Sequence, residues 1–287
     1  MVVIYPRQRF YLRKLADEVT RLTFFGGLIF GLALLNLMSQ PAAPLGPGIL
    51  QFSDGGIVRG PTDSKKLALV FTGHTFAEGS QVILDELSRH QAKASFFLTG
   101  DFIANPNFQS VVKRIVREGH YLGPHSDKHL LYCSWETPAK LLVRRNEFEA
   151  DLHNNLKKIE TLGLTRTSIK YFLPPYEHYD RKIVEWSEAL GLAVVNYTPG
   201  TRANADYTVE AEKNFVSSKA IFDSIVKKES TDPNGLNGFI LLLHIGAGPE
   251  RQDKFFDRFG ELLDFLKAHS YELVSIDGLL NNNKTNP

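Results

Sequence analysis

His125 and His129 stand four residues apart in "GPHSDKHLLYC", directly after Gly123-Pro124. Two neutral imidazoles can share a divalent metal ion, zinc first among the candidates, each giving one ring nitrogen. The ordinary alternative for histidines at this spacing is a solvated helix face. Two ligands leave a site incomplete, and "FTGHTFAEG", at the end of another apolar run, carries His74 and Glu78. His74 would complete an all-histidine site with an open fourth position. Glu78 could be a base or a ligand, or simply a first-turn glutamate favoured by a helix dipole. Asp101 and Asp127 are the runner-up carboxylates, and Asp127 could instead orient a ligand histidine. His244 closes "LLLH" and could donate a proton, or be a core histidine at a strand end. The single cysteine, Cys133, reads as a buried inert thiol.

These residues need elements to hold them. From Lys65 onward, short apolar runs alternate with helical patterns over about seven units, which predicts a parallel sheet covered by helices. The strands are "LALVFT", "KASFFLTG", "HYLGPH", "IKYFLPPY", "LAVVNYTPG", "GFILLLH" and "YELVSI". Thr137 with Pro138 is expected to cap a helix carrying Leu141, Phe148, Leu152 and Ile159 on one stripe. The expected class is α/β, a distorted (β/α) barrel of seven to eight strands. A barrel of this kind gathers its site at the C-terminal strand ends. His74, Glu78, Asp101, His125, His129, Tyr176 and His244 all follow or end such strands, and that clustering outweighs any one of them.

The motifs at these strand ends resemble those of the polysaccharide deacetylases, carbohydrate esterase family 4, over about residues 65–276. "HSDKH" matches the family's second motif, "LPPY" the third except for its arginine, and "LLLH" the fifth. The resemblance implies a metal-dependent hydrolase that removes acetyl groups from an N-acetylated polysaccharide. It assigns His125 and His129 as metal ligands, His244 as general acid and the backbone at Tyr176 as part of the oxyanion site. The first motif departs: Thr72 and Gly73 stand where the family has two aspartates, one a metal ligand and the other the base. Leu173 stands where the family's arginine pairs with that base. Losing both members together avoids a stranded buried charge. The alternative function is therefore a catalytically impaired glycan-binding protein on the same fold. Glu177 and His178 face either the sugar or the solvent, and Trp135, Tyr176 and Tyr197 are candidates for stacking on sugar rings.

The 287 residues carry a net charge of +1, which offers no electrostatic case for a nucleic-acid partner. One cysteine excludes an intrachain disulfide framework. "RLTFFGGLIFGLALLNLM" holds about 17 apolar residues, near the lower limit for a bilayer span, behind a flank with Arg7, Arg9, Arg13, Lys14 and Arg21. Residues 1–40 are expected to be a basic segment plus a signal anchor, with a cleaved signal peptide or a core helix as the other readings. The basic flank would remain inside, leaving the rest anchored at the periplasmic or extracellular face. Residues 41–62 read as a flexible linker, 63–280 as the barrel and 281–287 as a disordered tail. Oligomeric state is not legible.

Overall fold

The computed structural model describes residues 49–281. It begins with a hairpin, β1 (Gln51–Ser53) and β2 (Gly56–Arg59), followed by β3 (Lys66–Gly73) and α1 (Ser80–Arg89). Next come β4 (Ser95–Leu98), α2 (Gly100–Ala104), α3 (Gln109–Arg117), β5 (Tyr121–Pro124) and α4 (Arg145–Glu160). The chain continues through β6 (Tyr171–Phe172), α5 (Arg181–Ala189), β7 (Ala193–Val194), α6 (Ser218–Thr231) and β8 (Phe239–His244). It closes with α7 (Phe259–Ala268), β9 (Glu272–Val274) and α8 (Ile276–Leu280). All seven strands expected from the apolar runs are present.

β8, β3, β4 and β5 form a parallel ladder, with β9 on the first half of β3. Side chains of β3 alternate between two apolar layers, as a strand buried on both faces requires. Leu67, Leu69 and Phe71 join the layer under the helices. Ala68 and Val70 face the concave interior with Leu173, Val195, Ile240 and Leu242. The sheet is a curled half-barrel and not one continuous closed ladder. β6 and β7 form a separate pair on the remaining arc. Isolated bonds tie them in, among them Leu173 N donating to Pro124 O (3.3 Å) and Asn196 N to Ile57 O (2.8 Å). β6 is short because Pro174 and Pro175 cannot donate to a ladder.

Two boundaries differ from expectation. Residues 51–59, taken as linker, form the β1–β2 hairpin, and β2 pairs antiparallel with β8. Arg59 anchors it through Asp232 (3.0 Å) and the carbonyls of Asn237 and Gly235. Gly and Pro marked the turns around the hairpin and masked the short strands between them. The helix expected from Thr137 starts at Arg145, where Glu147 accepts from the Arg144 N–H. Among the described residues, no helix is long and apolar enough to cross a membrane. The expected N-terminal apolar helix and the disordered tail from 282 onward lie outside the described residues.

Candidate active site

The "HSDKH" loop leaves β5 in a conformation that side chains resist: Ser126 has φ 73° and His129 φ 55°. Helix α4 holds it there. Asn155 accepts from the His125 N–H (2.8 Å) and donates to Leu98 O. Asp151 accepts from the N–H groups of Asp127 (3.1 Å) and Lys128 (3.0 Å) and from the Tyr132 hydroxyl (2.7 Å). Asp151 and Asn155 escaped the sequence reading. Their signal was present: both interrupt the buried stripe Phe148, Leu152, Leu156 and Ile159 with polar side chains.

Three imidazoles gather above this loop. His125 and His129 have ring centroids 5.2 Å apart, and His74 lies 4.7 Å from His129. Burial, with the neighbouring imidazoles, holds His125 well below the usual histidine range and pushes His129 down to about 4. Burial also lowers His74, against the opposing pull of Asp101. All three are therefore neutral donors at pH 7. His125 donates from Nδ1 to the Leu173 carbonyl (2.7 Å), leaving Nε2 as its lone-pair nitrogen; metal-bound histidines carry such an outer bond. The pair His125–His129 suits a divalent ion. The third position does not. His74 stacks on His129 with ring planes 7° apart, so their nitrogens do not converge, and Nδ1 of His74 bonds Thr99 Oγ1 (3.2 Å). Among the described residues, no set of three His, Cys, Asp or Glu side chains is gathered closely enough to hold an ion. The expected triad is present in neighbourhood and not in ligating geometry.

The first loop explains part of this. Thr72 points into the pocket, and its buried Oγ1 has no hydrogen-bond partner. Gly73 faces the other layer: a Cβ there would meet Ile245 and Leu98 at 2.8 Å. Leu173, at the arginine position, is wholly buried in the apolar interior. Glu78 is placed differently from the role expected of it. Its Oε1 accepts from the N–H groups of Ala247 (2.8 Å) and Gly248 (2.7 Å) and from Lys254 Nζ (3.0 Å). Those bonds outweigh burial and lower its pKa, so Glu78 clamps the loop after β8 from outside the pocket. The runner-up carboxylates are also engaged: Asp101 pairs with Lys128, and buried Asp127 with Lys158 at 2.6 Å. Cys133 is buried, its thiol pushed up to about 11 chiefly by burial.

Opposite the histidine cluster, His244 ends β8. Its Nδ1 donates to Asp206 Oδ1 (2.6 Å), and its N–H to Oδ2 of the same carboxylate (2.9 Å). Burial works against charge on this ring, yet Asp206, and Glu177 beyond it, hold its pKa above the usual histidine value. Asp206 lies in "NYTPGTRANADY", a stretch with no sharp motif to single it out. Tyr176 and Glu177 turn the corner after β6 with φ 61° and 55°. Of seven non-glycine residues with left-handed backbone among those described, four (Ser126, His129, Tyr176 and Glu177) therefore sit at this site. Such strain survives where surrounding structure enforces it, and it concentrates at functional sites. Glu177 lines the pocket, whereas His178 stacks beneath Trp135 (4.0 Å). The pocket, about 610 Å³, is walled by the exposed aromatics Phe76, Trp135, Tyr176 and Tyr207. It combines neutral imidazoles, an imidazole bonded to a carboxylate, and flat apolar walls, a set suited to hydrolysis of a polar ligand with ring faces.

The polysaccharide deacetylase family matches residues 59–195. A peptidoglycan-N-acetylglucosamine deacetylase of Bacillus cereus is 27% identical over 182 residues, covering 63% of this chain and 62% of the relative. The peptidoglycan-N-acetylglucosamine deacetylase PgdA of Listeria monocytogenes is 27% identical over 75% of this chain, which spans 39% of that protein. Thus the chain spans less than two thirds of either relative. Among solved structures, PdaA of Bacillus subtilis, a family 4 carbohydrate esterase, superposes with a TM-score of 0.61 at 22% identity, over 79% of this chain and 85% of the other. A family 4 pseudoenzyme of Bacillus anthracis does so with 0.60 at 19% identity, over 80% and 70%.

Proposed function

We propose that this chain, which matches the polysaccharide deacetylase family over residues 59–195, hydrolyses acetyl groups from an N-acetylated glycan of the peptidoglycan type. The observation that carries the reading is the His244–Asp206 pair facing His125 and His129 across one aromatic-walled pocket. A protonated imidazole, held so by a carboxylate, can give its proton to the departing amine nitrogen. The aromatic walls suit the apolar faces of sugar rings, and the backbone at the strained Tyr176 corner is the candidate partner for a developing oxyanion. Members of the family generally use a divalent metal ion. Here His125 and His129 are the residues that would hold it, with zinc as the first ion to test. No third ligand is in place among the described residues.

The reading extends to location. The apolar run before residue 39, behind its basic flank, supports anchoring with the pocket outside the cytoplasm. The second reading, a glycan-binding protein with impaired catalysis, draws on the replacement of both first-motif aspartates by Thr72 and Gly73. The deciding experiment incubates the purified protein with N-acetylglucosamine oligomers and with peptidoglycan, with and without added zinc, and measures released acetate. Release by the wild type and its loss in His244→Ala supports the deacetylase. No release, together with retained glycan binding, supports the binding protein and overturns the enzyme.

A further inference from the structure

We propose that Glu177 is the general base of this pocket, taking over the role of the one first-motif aspartate that serves as base in the family. The inference rests on the deacetylase reading and adds a residue to it.

Three observations lead there. First, the other nearby carboxylates are engaged or remote. Asp206 is bound to His244, Glu78 to the loop after β8, Asp101 to Lys128 and Asp127 to Lys158. Glu212 and Glu250 stand exposed at the rim. Second, Glu177 lines the pocket half-buried, and Asn196 holds it by the backbone: Nδ2 donates to the Glu177 carbonyl (2.8 Å). That bond fixes the corner while the carboxylate makes no hydrogen bond or ion pair among the described residues. Third, the backbone at 177 is left-handed, a conformation glycine adopts without cost and glutamate does not. A bulky residue kept there implies a use for its side chain.

The electrostatics agree. The titratable groups facing Glu177 are His244, Asp206 and the phenols of Tyr197 and Tyr207. Burial dominates and raises its carboxyl to about 7, with His244 opposing and Asp206 reinforcing. A base with that pKa is ionised near neutrality and still basic enough to take a proton from water.

The step balances. Glu177 takes one proton from water as the water oxygen bonds to the acetyl carbon. The C–N bond then breaks while protonated His244 gives its proton to the nitrogen. Acetic acid and the amine leave, the acid then ionising in solvent, and the proton on Glu177 returns through solvent to His244.

The test compares wild type, Glu177→Gln, Glu177→Asp and Glu177→Gly by acetate release from an N-acetylglucosamine oligomer between pH 5 and 9. The wild type should show a bell-shaped kcat profile whose acid limb lies near 7. Glu177→Gln should lower kcat on the order of a hundredfold or more with KM little changed, and lose the acid limb. Glu177→Asp should restore part of the rate with the limb. Glu177→Gly should be as slow as Glu177→Gln yet melt at or above the wild-type temperature, because it relieves the backbone. A residue with a merely structural role would lose stability and leave the limb in place. Near-wild-type turnover in Glu177→Gln with its acid limb intact overturns the base and leaves the deacetylase standing. No turnover in the wild type overturns both, a distinct result.

Discussion

Restoring the missing aspartate at position 73 should damage the protein and not repair it. The prediction follows from the alternation of β3. Thr72 faces the pocket, so Gly73, one residue on, faces the layer under the helices. A Cβ at Gly73 would stand 2.8 Å from Ile245 Cγ2, 2.8 Å from Leu98 Cδ2 and 3.1 Å from Phe102 Cε2. Comfortable carbon contacts lie at about 3.5–4.0 Å. All three neighbours are fully buried or nearly so, and Ile245 is β-branched and stiff at χ1. Overpacking of this kind costs about 1–3 kcal/mol. A carboxyl group aimed at that apolar wall without a donor adds about 1–3 kcal/mol. Gly73→Ala should therefore cost about 1–3 kcal/mol and Gly73→Asp about 2–6 kcal/mol. At about 2–4 °C per kcal/mol for a domain of this size, Gly73→Asp should melt roughly 5–20 °C lower. Thermal and urea unfolding of both variants, beside their zinc content by mass spectrometry, decide the matter. A Gly73→Asp protein that melts like wild type and gains one tightly held ion would refute the steric argument. It would mean that the loop rebuilds the metal site readily.

Two further outcomes are expected. Asp151→Ala removes the acceptor for two backbone N–H groups and the Tyr132 hydroxyl; it should destabilise by about 3 kcal/mol or more and raise hydrogen exchange at 125–130, and unchanged exchange there would contradict its role in holding the loop. Stability should also fall as pH drops from about 6.5 to 4. Burial pushes His120 down to about 4, so below pH 6.5 the unfolded chain takes up a proton that the native state refuses. This one group is worth about 3 kcal/mol across that window, and His120→Asn should flatten the limb in urea unfolding; an identical limb in the variant would show that other groups carry it.

Much of this protein is legible in one dimension. Apolar runs placed all seven strands of the α/β pattern, because a strand buried on both faces must be apolar throughout. "HSDKH" and "LLLH" placed His125, His129 and His244 at strand ends, since local motifs keep their spacing whatever the chain does elsewhere. The short hairpin at 51–59 was not legible, because its partners, Phe239 on β8 and Val195 beyond β7, lie far away in sequence. Nor was the division of labour among carboxylates. Glu78 and Glu177 both follow a strand, and spacing alone made Glu78 the nearer choice. Packing decided otherwise: the loop after β8 brings two N–H groups and Lys254 onto Glu78, while the left-handed corner at 176–177 turns Glu177 toward His244. Sequence determined which chemical groups reach the rim of the sheet. Tertiary structure decided which of them were consumed in holding loops and which were left facing the pocket, because that depends on donors contributed by distant segments.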